Sequence, residues 1–242
     1  MKNYIKIFIL LSFSLLLFGC NSKDDNLIMV TNSGFEPYEY VKNNEVVGVD
    51  VDIANEIAKE MGKKLEIKDV AFDSIISELN SGKADFAAAG MSISEERKKQ
   101  VDFSIEYVSS KQVVIVSKNN KNIKTKEDLN NKTISVQLGT VADTYATDNY
   151  KNSKIIRQKK FLSAAEDVKT GKSDCIIMDE LPAKELVSKN KELTILDIEL
   201  VTDKYAIAVK KGNKELLDII NKVLERLMKE GKIEEYIINH SS

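Results

Sequence analysis

The chain has 242 residues, with 36 lysines and arginines against 38 aspartates and glutamates, one histidine, two cysteines and no tryptophan. A formal charge of −2 argues against a nucleic-acid partner. The single histidine, His240, lies near the C-terminus and leaves no material for a histidine-based catalytic triad or zinc site elsewhere.

Lys2 and Lys6 precede an apolar stretch, 7–18, that is too short to span a bilayer comfortably and has the form of a secretory leader. The stretch ends in Leu17, Phe18, Gly19 and Cys20, which resembles a bacterial lipobox. Cleavage before Cys20, a diacylglycerol on its sulfur and a polar tether over 20–25 are therefore expected, placing the mature protein outside the cytoplasm on a membrane face. Loss of the two leader lysines takes the charge to −4. Lipidation leaves Cys175 as the sole thiol, so neither an internal disulfide nor a cysteine-based metal site is expected.

From Leu27 short apolar runs alternate with amphipathic stretches: "LIMVTN", a helix over 52–61 closed by Gly62, "KLEIKDV", a helix over 72–81 closed by Gly82, then "ADFAAAG". Asp50 and Asp52 in "GVDVD" read as caps at a helix start rather than metal ligands. "SSKQVVIVSKNN" is an extended run that suits a crossover, and "TKEDL" reads as a helix start capped by Thr125. A second round begins with "KTISVQLG" and a helix from Thr140. It continues through "SKIIRQ", a helix from Ser163 closed by Gly171, "SDCIIMD", a helix from Glu180 and "ELTILDI". "YAIAVKKG" and a long amphipathic helix over 214–229 follow. Strand, helix, strand is the order of a mostly parallel sheet covered by helices.

The chain also repeats itself. Phe72, Leu79, Gly82, Lys83 and Asp85 match Phe161, Val168, Gly171, Lys172 and Asp174 at identical spacing, as expected for two lobes of one architecture.

The blocks "GVDVDIANEIAKEMGKK", "AFDSIISELNSGKADFAAAGMSISEERKKQVDFS" and "ISVQLGT" resemble the extracellular amino-acid-binding proteins of bacterial ABC importers, solute-binding family 3. The resemblance implies an α/β fold of two lobes, the type II periplasmic-binding-protein fold. Each lobe would carry a mixed, mostly parallel sheet, joined to the other by two crossover strands. Residues 26–109 and 204–242 would form a discontinuous first lobe and 110–203 the second. It further implies capture of a polar L-amino acid by closure of the lobes, delivery to permease subunits driven by an ATPase partner, a monomer, and no cofactor. Two rival roles on the same fold, an enzyme similar to cyclohexadienyl dehydratases and a sensor ectodomain, would need a cleft acid or base, or a transmembrane signalling segment.

Site residues follow from the same resemblance. Arg97 would hold the ligand α-carboxylate with its planar fork, a task for which lysine lacks the geometry. Gly90 would offer its carbonyl to the ligand ammonium and Ser92 its N–H and hydroxyl to the carboxylate, with Met91 between them. Asp179, at the end of "SDCIIMD", would pair with the ammonium. Thr140 and Val141, where a strand runs into a helix, present N–H groups suited to an anion. Phe35 and Phe72 would wall the side chain, and Asn32 and Gln137 would read its end. Two neutral amides there lead to an expected preference for neutral over basic side chains.

Overall fold

A computed structural model describes residues 26–241. The leader, Cys20 and the rest of the tether all lie outside these residues. Among the described residues no helix is long and apolar enough to cross a membrane.

The first half runs through β1 (Asn26–Thr31), the hairpin strands β2 (Tyr40–Lys42) and β3 (Glu45–Val47), α1 (Val49–Glu60) and β4 (Lys64–Asp69). A 3-10 turn (Phe72–Ser74) then leads into α2 (Ile75–Asn80), β5 (Phe86–Ala87), α3 (Glu95–Lys98) and β6 (Val101–Phe103). The crossover β7 (Val108–Ser117) leads into β8 (Thr133–Gln137), α4 (Val141–Asn149), β9 (Lys154–Gln158), α5 (Phe161–Lys169), β10 (Cys175–Asp179) and α6 (Glu180–Lys189). The chain returns through β11 (Leu193–Tyr205), β12 (Ala208–Lys210), α7 (Lys214–Lys229) and α8 (Lys232–His240).

Two five-stranded sheets result, ordered β4-β1-β5-β12-β6 and β11-β7-β10-β8-β9. In the first, β1 lies parallel to β4 and β5, while β12 runs antiparallel to β5 and β6. In the second, β8 lies parallel to β9 and β10, while β7 runs antiparallel to β10 and β11. Both are mixed sheets with helices against them, the two-lobed α/β arrangement. The crossovers pair with one another from Leu193↔Ser117 to Tyr205↔Val108, with breaks in register between Leu196, Glu199 and Thr202 on β11. Helix α7 places Leu216, Ile220, Val223, Leu224 and Leu227 on one buried stripe. Each such side chain stabilises the first lobe by about 1.5–3 kcal/mol.

The sequence repeat is a structural bracket. In both copies a helix ends at a left-handed glycine, Gly82 at φ 71° and Gly171 at φ 75°. The following lysine N–H returns to the helix, Lys83 to Glu78 O at 3.0 Å and Lys172 to Asp167 O at 2.8 Å. Asp85 and Asp174 then each accept a backbone N–H from a neighbouring strand at 2.7 Å, from Ile28 and Thr133 respectively. Each aspartate thereby fixes the register of the strand it precedes.

Several expectations are corrected. Helix α1 begins at Val49, and no side-chain cap bonds its start. Asp50 turns inward to accept Gly90 N–H and the Tyr107 hydroxyl, and Asp52 pairs with His240 Nε2 at 2.9 Å. Near Thr125 only a 3-10 turn (Glu127–Leu129) forms, and Asp128 accepts from the Thr125 N–H rather than the reverse. Helix α5 begins at Phe161, two residues before the expected serine, and burying Phe161 favours the earlier start.

Candidate ligand-binding cleft

The ends of β1, β8 and β10 and the turn after β5 converge between the sheets. Asn32, Phe35, Glu39, Phe72, Ala89, Gly90, Ser92, Arg97, Gln137, Thr140, Val141 and Asp179 line one small cavity there, of about 20 Å³. All the expected site residues except Met91 belong to this lining. The Met91 side chain packs with Val30, Ile75 and Leu79, and its carbonyl accepts from Ala206 N–H at 3.1 Å.

The run from Ala87 to Gly90 is small for a steric reason. Gly90 has φ 51°, and a Cβ there would come within 2.6 Å of the Phe35 ring. Its N–H donates to Asp50 Oδ2 at 2.8 Å, which fixes the direction of the peptide beside the cavity. Ser94 then caps α3 by accepting from Arg97 N–H at 3.2 Å, and this short helix carries Arg97 inward. Arg97 is 9% exposed, and its guanidinium donates to Ser92 O at 2.6 Å and to Gly139 O at 2.9 Å and lies 5.3 Å from the Phe72 ring centroid. Burial lowers its pKa, opposed by Asp203, Glu96 and Asp179. Arg97 thus faces the cavity as a cation bonded to carbonyls.

Asp179, 6% exposed, is the last residue of the buried strand β10 and accepts from the Tyr205 hydroxyl at 2.5 Å and from Ser110 Oγ at 2.9 Å. It makes no side-chain cap to α6. Burial, with the nearby charge of Asp203, pushes its pKa up to about 7 against the hydrogen bonds it accepts. Asp203, on β11, accepts from Ser92 Oγ at 2.7 Å and Gln112 Nε2 at 3.3 Å, and burial raises its pKa too. The cleft therefore has a cationic pole at Arg97 and an anionic pole at Asp179 and Asp203.

At the turn after β8, Thr140 Oγ1 accepts from Asp143 N–H at 3.3 Å and so caps α4. Thr140 N–H approaches Gln137 O at 3.4 Å, and Val141 is the first helical residue, where a backbone N–H has no acceptor within its own helix. Phe35 stacks on Phe161 across the cleft, their ring centroids 5.7 Å apart. Gln137 Nε2 donates to Asn32 Oδ1 at 2.8 Å, and Asn32 Nδ2 to Val70 O at 2.5 Å. The two amides thus hold each other. Among the described residues no group of three or more histidine, cysteine, aspartate or glutamate side chains could hold a metal ion.

Glu39 escapes sequence reasoning. It sits 1% exposed in the cavity wall, brought there by a tight loop in which Gly34 and Phe35 N–H both donate to its carbonyl. Its Oε2 accepts from no N–H or hydroxyl donor, and its nearest charged neighbour is the Asp50 carboxyl. "FEPYEY" carries no signal of this, since a glutamate between aromatics reads as an ordinary loop residue. Asp203 and Tyr205 were equally hidden, in the polar end of a crossover strand.

The family model of the bacterial extracellular solute-binding proteins, family 3, matches residues 27–240. The chain belongs to that family. It is 32% identical over 223 residues to the arginine-binding extracellular protein ArtP of Bacillus subtilis, covering 90% of this chain and 86% of that one. It is 31% identical over 245 residues to a probable histidine-binding protein of Campylobacter jejuni, covering 96% and 95%. The fold matches the amino acid ABC transporter substrate-binding protein AbpA of Streptococcus pneumoniae bound to L-arginine, with a TM-score of 0.87, 33% identity, and 90% and 95% of the two chains covered. This family 3 protein therefore shares both fold and length with relatives that bind amino acids.

Proposed function

We propose that the protein is the receptor of an ABC importer that encloses a polar L-amino acid with a basic side chain and presents the closed form to membrane permease subunits and their ATPase. The observation that carries this reading is the set of charged groups that line one cavity: Arg97, Asp179 and the buried Glu39 carboxyl, whose Oε2 accepts from no N–H or hydroxyl donor. Arg97, with Ser92, Thr140 and Val141, takes the α-carboxylate, and Asp179 and the Gly90 carbonyl take the ammonium. Phe35 and Phe72 sandwich the aliphatic part of the side chain, and Glu39 takes its cationic end. The preference for neutral side chains expected from Asn32 and Gln137 rested on the lack of a carboxylate at that wall, and Glu39 supplies one. Arginine and histidine binding by the relatives above agrees with this.

Binding and closure constitute the whole mechanism, without chemical conversion of the ligand. In this reading residues 26–109 and 204–242 form the first lobe and 110–203 the second. Cys20 anchors a monomer by its lipid on the outer side of the membrane, with 20–25 as tether.

The test is calorimetry with arginine, lysine, histidine, glutamine and cystine on the wild type and on Glu39→Gln. Arginine should bind tightest, and Glu39→Gln should weaken it by about 100-fold or more while changing glutamine by less than tenfold. Equal losses for both ligands would remove Glu39 from the side-chain end, and tighter binding of glutamine than arginine by the wild type would overturn the basic class.

A further inference from the structure

Asp50 is fully buried at the start of α1, and both its oxygens already accept hydrogen bonds, Oδ2 from Gly90 N–H at 2.8 Å and Oδ1 from the Tyr107 hydroxyl at 2.6 Å. Asp50 N–H donates to Tyr38 O at 3.0 Å, which brings Asp50 beside the next residue, Glu39, which is 1% exposed and whose carboxyl faces it. Two buried carboxylates this close do not both ionise without a cation between or beside them. The one whose oxygens are both accepting is the charged member, so the proton belongs on Glu39, which then donates to Asp50. The other titratable groups that face Glu39 are Asp69 at the end of β4, Asp179 at the end of β10, and the phenols of Tyr38 and Tyr107. None of these is a cation. Lys160 lies 3.8 Å from Asp69 and donates to Ser33 O at 3.0 Å, where it neutralises the rim rather than the pair.

We propose that Glu39 and Asp50 hold one proton between them in the empty protein, and that a guanidinium or ammonium side chain seated against Glu39 drives this proton into solvent. The inference rests on the assignment of Glu39 to the side-chain end of the cleft. On binding, the Glu39 O–H bond breaks, the proton passes to water and buffer, and the ligand cation takes its place beside two carboxylates. A neutral side chain leaves the proton where it is. Burial first, and then the Asp50 charge, hold the Glu39 carboxyl well above the usual carboxylate range. Burial pushes Asp50 up to about 6 against the bonds from Tyr107 and Gly90. The affinity for a basic amino acid therefore rises with pH relative to that for a neutral one. Asp179 also titrates in this range, but every amino acid presents it with the same ammonium, so its proton cancels in the comparison.

The experiment is calorimetry of arginine and glutamine at pH 6 in two buffers of different ionisation enthalpy, which counts the protons exchanged, repeated as Kd measurements at pH 5.5 and 6.5. Arginine should release about one proton more than glutamine, and the ratio of the two affinities should move about tenfold toward arginine per pH unit. Asp50→Asn and Glu39→Gln should each abolish most of that difference. Tight arginine binding with the same proton count as glutamine would overturn the proposal and leave the basic-ligand reading intact. Persistence of the extra proton in Glu39→Gln would also overturn it. Failure of arginine to bind a protein that binds glutamine would defeat the ligand reading and the proposal together.

Discussion

The Gln137 side-chain amide donates to Asn32 Oδ1 at 2.8 Å, joining the end of β8 in one lobe to the end of β1 in the other. Arg97 Nη2 to Gly139 O at 2.9 Å, Lys160 Nζ to Ser33 O at 3.0 Å and the Lys189–Glu36 ion pair also cross the cleft. The closed form thus has polar latches of its own. In the proposed reading a ligand adds to these contacts, and its binding free energy would favour the closed state.

The amide latch should appear as coupling between its two ends. Asn32→Ala and Gln137→Ala should each weaken ligand binding about 5- to 30-fold, and the double variant should be weaker than either by less than their product, with a coupling of about 1 kcal/mol. Calorimetry on the four proteins measures this directly. Additive losses would mean that the bond is absent once ligand is bound.

Arg97→Ala should reduce affinity at least about 100-fold, because a desolvated ligand carboxylate would be left without its cation. Arg97→Lys should recover only part of the loss, since an ammonium does not present the planar fork. Circular dichroism should show both variants folded. Near-native affinity in Arg97→Ala would exclude it from the carboxylate end.

Asp179 links stability to pH. Its folded pKa of about 7 lies above the ordinary carboxylate value, so the native state holds a proton that the unfolded chain has lost between about pH 4 and 7. Stability of the empty protein therefore falls as pH rises through that window, by about 2–4 kcal/mol at most. Asp179→Asn should melt higher than the wild type at pH 8, the difference should vanish near pH 4, and the variant should bind amino acids far more weakly. A difference in melting temperature that is the same at pH 4.5 and pH 8 would show that Asp179 is ionised throughout.

Gly139 tests closure separately from ligand contact. Its φ is 79°, and an added Cβ would lie 3.3 Å from the Asp73 side chain of the opposite lobe. Gly139→Ala should cost about 1 kcal/mol in backbone strain and should disfavour the closed state as well. Small-angle scattering with saturating ligand should give a larger radius than for the wild type. An unchanged radius, with wild-type affinity, would show that the lobes do not meet at this point in solution.

Much of this molecule is legible as pattern. The repeated helix, glycine and aspartate unit is visible because a left-handed C-cap and a strand-fixing aspartate each demand a residue type at a set spacing. The amphipathic stripe of α7 is equally plain. Strand β5 shows the limit: only Phe86 and Ala87 pair, because the small residues after them turn away to form the cavity wall. Strand β11 extends to Tyr205, well past the apolar run at its start, since it is held by its ladder to β7 rather than by burial of alternate side chains. Helix α8 carries little sequence signal, with Ile233 as its one buried residue. Glu39, Asp50 and Asp203 were illegible as site residues for a common reason. Burial of a carboxyl is decided by tertiary neighbours, and nothing in local periodicity marks it.

The pairing of β7 with β11 sets the mechanics of the protein. Two antiparallel strands bonded along their length resist sliding past one another, because shear would break several ladder bonds at once, whereas bending and twisting break few. The lobes thus have one soft coordinate, with its compliance concentrated on β11 where register is lost between Leu196 and Thr202. Ser110 and Gln112 on one strand of this axle, and Asp203 and Tyr205 on the other, touch the anionic pole of the cleft or belong to it. In the proposed reading, charge arriving at Asp179 would consequently act at the pivot itself, so that occupancy would stiffen the joint about which the lobes turn as well as bridge their faces.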